Sequence, residues 1–164
     1  MKKNLINVIV GMITLMSTPA LKAQSNCDEL KKENEYLKKA LQVTTPTKTV
    51  TSSKIDFNLI SCVGNIKEQT VSLVLTLVNH DANRPLQFSR AKAIDLEGNE
   101  YPTHQISIGS GGIRNDLYTD VPIKVLIKYT KVLPSVKLFK IIPLEYYDDN
   151  STGIEYRDIT VTWK

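Results

Sequence analysis

Cysteine and histidine are both scarce in this chain. Cys27 and Cys62 are its two cysteines, and His80 and His104 its two histidines. Two cysteines are too few for a scaffold built on disulfides. A zinc site needs three or four ligands at recognisable spacing, which these four distant residues do not supply. A long apolar run is also lacking. The greasiest stretch, Leu5–Met16, is diluted by Gly11 and Thr14. It falls short of the ~20 apolar residues that span a bilayer. An excess of one charge is missing as well, once the start of the chain is set aside. Lys2, Lys3 and Lys22 contribute three of the 21 basic residues, and no acid accompanies them. Residues 24–164 then carry 18 basic against 17 acidic side chains. That balance offers no basic face for nucleic acid.

What the first 23 residues do contain is a pattern. A positive start, a short apolar segment and the small-residue exit Ser17-Thr18-Pro19-Ala20-Leu21-Lys22-Ala23 have the layout of a secretory signal peptide. Cleavage is expected near Ala23, with Ala20 as a second position. The alternative is an uncleaved membrane anchor. Cleavage predicts an exported, periplasmic or extracellular protein with no transmembrane segment in the mature chain.

Residues 24–43 are charged, rich in Leu, Lys and Glu, and free of Gly and Pro, so they read as a helix. With Leu30 and Leu37 at d positions of a heptad, Cys27, Asn34 and Leu41 fall at a. An Asn at a single a position fixes register in paired helices. Glu33 at g and Lys38 at e would attract each other between parallel chains. The spacing predicts a short coiled coil that makes a homodimer through residues 27–43. The competing reading is a helix that docks on its own domain, or a polar stalk. Cys27 would face its twin across a dimer, or else bridge to Cys62 in the same chain; Cys62 otherwise reads as a packed thiol.

Residues 44–53, Thr-Thr-Pro-Thr-Lys-Thr-Val-Thr-Ser-Ser, have little to bury and are expected to be a linker. Residues 54–164 then show period-2 alternation. Examples are Ile55, Phe57 and Leu59; Val71, Leu73, Leu75 and Leu77; Val121, Ile123, Val125, Ile127 and Tyr129; and Ile159, Val161 and Trp163. Seven runs are expected, near 54–63, 68–79, 86–95, 99–107, 118–130, 135–147 and 154–163. Gly64-Asn65, Glu97-Gly98-Asn99 and Asp148-Asp149-Asn150 supply turn chemistry, and Gly109-Ser110-Gly111-Gly112 a flexible loop. The fold class is all-β: a seven-stranded antiparallel immunoglobulin-like sandwich. A small barrel is the alternative.

No catalytic constellation stands out. Gly109-Ser110-Gly111 lacks the spacing of a nucleophile elbow. His80 and His104 read as turn polarity. The acidic turns at Asp95, Glu97 and Glu100, at Asp116 and Asp120, and at Asp148 and Asp149 raise a calcium-binding alternative, but Asp is also an ordinary turn residue. Tyr118, Tyr129, Tyr146, Tyr147 and Tyr156 read mainly as strand packing. No cofactor is expected.

The strand Gln69–Asn79, then Ala93-Ile94-Asp95-Leu96-Glu97-Gly98-Asn99-Glu100-Tyr101, then the late Val121-Pro122, resembles telokin-like, immunoglobulin-fold domains of exported bacterial proteins. The resemblance covers residues 54–164 and implies a sandwich on the bacterial envelope or outside the cell. It implies no catalytic residue. Together these readings predict an exported, non-enzymatic binding or structural module with an envelope or extracellular protein partner.

Overall fold

A computed structural model describes residues 30–36, 45–148 and 151–164. The chain divides into two compact units, Met1–Leu41 and Gln42–Lys164. In the first, residues 30–36 are helical, and all seven are exposed. Leu30 and Asn34 lie on this helix. Cys27, Leu37, Leu41 and the leader residues 1–23 lie outside the described residues.

Among the described residues, the second unit holds eleven strands: β1 (Lys48–Ser52), β2 (Ile55–Asn65), β3 (Thr70–Asn79), β4 (Arg84–Asp95), β5 (Glu100–Thr103), β6 (Ile106–Ile108), β7 (Arg114–Leu117), β8 (Ile123–Thr130), β9 (Leu138–Tyr147), β10 (Ser151–Thr160) and β11 (Thr162–Trp163). One sheet runs β1-β2-β3-β8-β6, with β11 added alongside β2. The other runs β10-β9-β4-β5, with β7 on β4. The pairs are antiparallel except β11, which is parallel to β2.

Eleven strands replace the seven expected runs for a physical reason. Two runs are single in the pattern but change sheet in space. The run 99–107 divides at His104-Gln105: β5 pairs with β4 and β6 with β8, in opposite sheets. The last run divides at Val161: β10 pairs with β9 and β11 with β2. Alternation runs through the second crossing at Ile159, Val161 and Trp163; at the first it slips by one residue, since the exposed pair His104-Gln105 separates the buried Thr103 from the buried Ile106. The linker at 44–53 is a correction. Its second half is β1, paired in register from Lys48↔Leu59 to Ser52↔Ile55. Threonine's branched side chain suits a strand, and an edge strand needs only one apolar anchor, here the partly buried Val50. The glycine-rich loop is also more ordered than expected. Gly109 and Gly111 donate to Lys124 and Ile108 carbonyls at 2.7 and 3.0 Å, and β7 follows.

The inward residues of both sheets make one core. Ile55, Phe57, Leu73, Leu75, Leu77, Val125, Ile127 and Tyr129 come from one sheet. Leu86, Phe88, Phe139, Ile142, Leu144, Tyr146 and Tyr156 come from the other. Each large apolar side chain removed from water contributes about 1.5–3 kcal/mol. Aromatic pairs tie the sheets together: Phe57 to Tyr146 at 5.0 Å and Tyr129 to Phe139 at 5.8 Å between ring centroids. Cys62 is buried as a free thiol, and burial pushes its pKa up to about 12.

The core tyrosines are not equivalent. The Tyr156 hydroxyl crosses the core to donate to the Phe57 carbonyl at 2.8 Å. The Tyr146 hydroxyl is buried with no hydrogen-bond partner among the described residues. Tyr156→Phe is therefore expected to cost about 1–2 kcal/mol, because a buried carbonyl loses a partner. Tyr146→Phe is expected to be neutral or stabilising, since it removes an unpaired polar atom. Urea unfolding of the two variants checks this; equal losses would contradict the inter-sheet bond.

Candidate functional site

The most organised polar cluster lies at the sandwich end where β1 turns into β2, β3 into β4 and β7 into β8. It starts with the β1–β2 hairpin. Ser52 pairs with Ile55, which leaves a two-residue loop of Ser53 and Lys54. Both have positive φ, 50° and 57°. That suits the twist of a tight hairpin, but it is strained for residues other than glycine. Three contacts offset the strain. Arg84 Nη2 donates to the Ser53 carbonyl. The His80 amide donates to the Lys54 carbonyl at 2.8 Å. Lys54 Nζ reaches Asp81 at 3.0 Å.

Asn79 closes β3 and is buried. Its Nδ2 donates to the Asp81 and Ala82 carbonyls at 2.9 and 3.0 Å. Its Oδ1 accepts from Arg84 Nε at 3.2 Å. Arg84 also pairs with Asp148 at 3.3 Å. The Arg84 and Asp148 side chains are only 17% and 4% exposed, so this ion pair is largely withdrawn from water.

His80 bridges two carboxylates from different parts of the chain. Its Nδ1 lies 2.7 Å from Asp120 and its Nε2 3.0 Å from Asp56. Asp56 also accepts from Thr51 Oγ1 at 2.6 Å. The hydrogen bonds from Thr51 and His80 hold the Asp56 carboxyl below the usual carboxylate range. The hydrogen bonds to Asp56 and Asp120 raise the His80 imidazole above its ordinary value. The Lys54 hydrogen bond and the Ala82 amide hold Asp81 down in the same way. The β7–β8 connection joins the cluster through Thr119 and Asp120. Thr119 donates through its amide to Asn83 Oδ1 at 2.9 Å and through Oγ1 to the Asp81 carbonyl at 2.7 Å. The Asp120 amide donates to the Asn79 carbonyl at 2.7 Å. Beside these anchors Tyr118 and Val121 are 55% and 52% exposed.

Chemically, this cluster is a clamp. A nucleophilic triad needs one imidazole nitrogen free to take a proton from a hydroxyl or thiol. Both nitrogens of His80 face carboxylates instead. Among the described residues, no group of three or more His, Cys, Asp or Glu side chains is placed to hold a metal ion.

The acidic turns have separate duties. Asp120 faces His80 and Asp148 faces Arg84, while Asp149 lies outside the described residues. Asp95 accepts from the Glu97 and Asn99 amides, Asn99 Nδ2 and the Tyr101 hydroxyl, each at 2.8–2.9 Å. Burial pulls its pKa up, but those hydrogen bonds outweigh it and hold the carboxyl low. Glu100 pairs with Lys92 at 2.8 Å. Of the tyrosines, Tyr129, Tyr146 and Tyr156 are core, while Tyr118 and Tyr147 are exposed.

The sequence reading missed His80 and Arg84 as organising residues. The local signal was the run Asn79-His80-Asp81-Ala82-Asn83-Arg84 at the end of an apolar strand. The partners Asp56, Asp120 and Asp148 lie 24 to 64 residues away, which no spacing rule links.

No family model and no curated protein matches the chain. Among solved structures it is similar to a family 123 glycoside hydrolase from Clostridium perfringens, described in a study of glycolipid glycan hydrolysis. The identity is 11%, the TM-score 0.39, and the match covers 62% of this chain and 22% of that one. It is also similar to the ASH/PapD-like domain of human CEP192, at 15% identity and TM-score 0.39, covering 73% of this chain and 91% of that one. The GAE domain of yeast GGA1 follows at 17% identity and TM-score 0.36, covering 68% and 96%. At these scores the likenesses carry no inference about activity.

Proposed function

We propose that this chain is an exported, non-enzymatic binding or structural module of the bacterial cell envelope, which self-associates through its N-terminal helix. Export rests on the leader pattern at residues 1–23 and on the resemblance to telokin-like domains. Self-association rests on the heptad Cys27, Leu30, Asn34, Leu37 and Leu41. The observation that favours binding over catalysis is the clamped end of the sandwich. Three connections are tied together by His80, Asn79 and Arg84, while Tyr118 and Val121 remain exposed beside them. Rigidly held loops that present aromatic and apolar groups suit partner recognition.

A photo-crosslinking residue at position 118, compared in cells with one at Leu96 at the opposite end of β4, tests this. Capture of a partner protein at 118 well above that at 96 is expected. Equal yields, or none, would overturn the assignment of the binding surface. For assembly, light scattering should give the mature chain a larger mass than a monomer. A chain beginning at Thr45, which keeps β1, should be a folded monomer. Monomer masses for both would remove the self-association.

The calcium reading has weaker support, because Asp120, Asp148 and Asp95 already have partners. Melting with and without calcium is expected to show no shift.

A further inference from the structure

We infer that His80 is a proton-operated latch, which fastens the β7–β8 connection to β2 only while its imidazole carries a proton on both nitrogens. Valence at the imidazole and its two carboxylates imposes this. An ionised carboxylate only accepts hydrogen bonds, and a neutral imidazole has one N–H and one lone pair. Nδ1 at 2.7 Å from Asp120 and Nε2 at 3.0 Å from Asp56 therefore need two N–H donors at once. Removing one proton turns one of these attractions into a lone pair facing a negative charge.

The link that opens is the one to Asp120. Asp56 sits on a strand paired on both sides and also holds Thr51 Oγ1. The Asp120 carboxylate is 70% exposed, and among the described residues His80 is its one side-chain partner. Asp120 is further held at a φ of 56°, a strained backbone for a residue other than glycine. The hydrogen bond its N–H donates to the Asn79 carbonyl remains, so the connection loosens without detaching.

The other charges around the cluster do not override this. Lys54 is paired with Asp81, and Arg84 with Asp148. Asp56 on β2 and Asp120 on the β7–β8 connection are the charges that contact the ring. Both partners raise the proton affinity of His80 in the folded state. The latch's stabilisation is therefore fully present below the ordinary imidazole value of about 6.5. It is lost as the pH rises through the higher folded value. At the acid end the latch weakens again as its carboxylates take up protons and cease to be pure acceptors.

The released segment carries Tyr118 and Val121. Regulation of partner capture by this latch rests on the binding reading above, but the latch itself does not. The two are separable by experiment. An NMR titration of the full chain from about pH 5 to 9 spans the imidazole range. It should follow the His80 ring, identified by its loss in His80→Gln, together with the amides of residues 118–121. His80 is expected to titrate above about 6.5, and the four amides to move with the same midpoint. Relative to the base-catalysed rate of a free amide at each pH, their protection should fall by roughly two- to fivefold on deprotonation, the scale of an exposed ion pair. Asp120→Asn should lower the His80 midpoint and abolish the loop's response, even if His80→Gln proves poorly folded. A His80 midpoint at or below the ordinary value, or amides that ignore it, would overturn the latch. A working latch with no pH dependence of crosslinking at position 118 would instead overturn only its regulation of partner capture, while no capture at position 118 at any pH would overturn the binding reading and leave the latch standing.

Discussion

Arg84→Ala is expected to destabilise the sandwich by about 3 kcal/mol, because breaking a buried ion pair leaves the surviving charge without compensation. That charge is Asp148, whose side chain is 4% exposed. The variant also removes the donors that reach Asn79 Oδ1 and the Ser53 carbonyl. The strained hairpin at Ser53 and Lys54 and the buried end of β3 thus lose a shared anchor. A second variant separates the pair's own contribution from the penalty of orphaning Asp148. Arg84→Met combined with Asp148→Leu replaces both charges with apolar groups, and should recover much of the loss, since such replacements are often neutral. Urea unfolding at neutral pH reads both. A single variant within 0.5 kcal/mol of the parent, the range of ordinary surface changes, would mean the pair is solvated and the clamp is not buried.

Gly64→Ala is the second large effect. A Cβ at this position would fall on the Trp163 ring, 2.6 Å from Cζ3. The ring lies over Gly64 because β11 pairs with β2 through Thr162↔Val63 and Trp163↔Gly64. It is held there by Nε1, which donates to the Val136 carbonyl at 2.7 Å. Two backbone bonds secure the same corner: Lys164 N to Gly64 O at 2.9 Å and Ile66 N to Lys164 O at 3.1 Å. Alanine must displace the ring or spread β2 from β11. Overpacking of this kind costs about 1–3 kcal/mol, and valine should cost more. Trp163 is the chain's single tryptophan, so its fluorescence reports the corner directly. A red-shifted emission with lowered stability is expected. Unchanged emission and stability would show that the ring does not cover Gly64.

The sequence makes the core legible and the clamp almost illegible. Alternation picks out Ile55, Phe57 and Leu59, and Leu73, Leu75 and Leu77, because a strand puts every second side chain on one face. The same rule places Val125, Ile127 and Tyr129 inward, but it extends that strand too far: Val121 is exposed in the connection before β8. Alternation also says nothing of which sheet a strand joins, so β5 and β6 read as one strand. The edge strand β1 was hidden by its composition. Its threonines look like a linker until Ile55–Leu59 is there to pair with them. The clamp is hidden for a different reason. Its contacts follow from strand order, and local spacing carries no trace of how β2, the end of β3 and the β7–β8 connection converge. Of the helical seam, Leu30 and Asn34 lie on the described helix at 30–36, while Cys27, Leu37 and Leu41 lie outside the described residues.

The polar end of the sandwich is a fastened platform, tied by His80, Asn79 and Arg84. Hydrogen exchange of the full chain at pH 6, read at the amides of His80, Thr119 and Asp120, tests it most directly. Each donates a hydrogen bond across the cluster, to Lys54, Asn83 and Asn79 respectively. Protection at all three, lost together in Arg84→Ala while β3 and β8 stay protected, is the predicted result. Exchange at the rate of an open loop in the parent protein would contradict it.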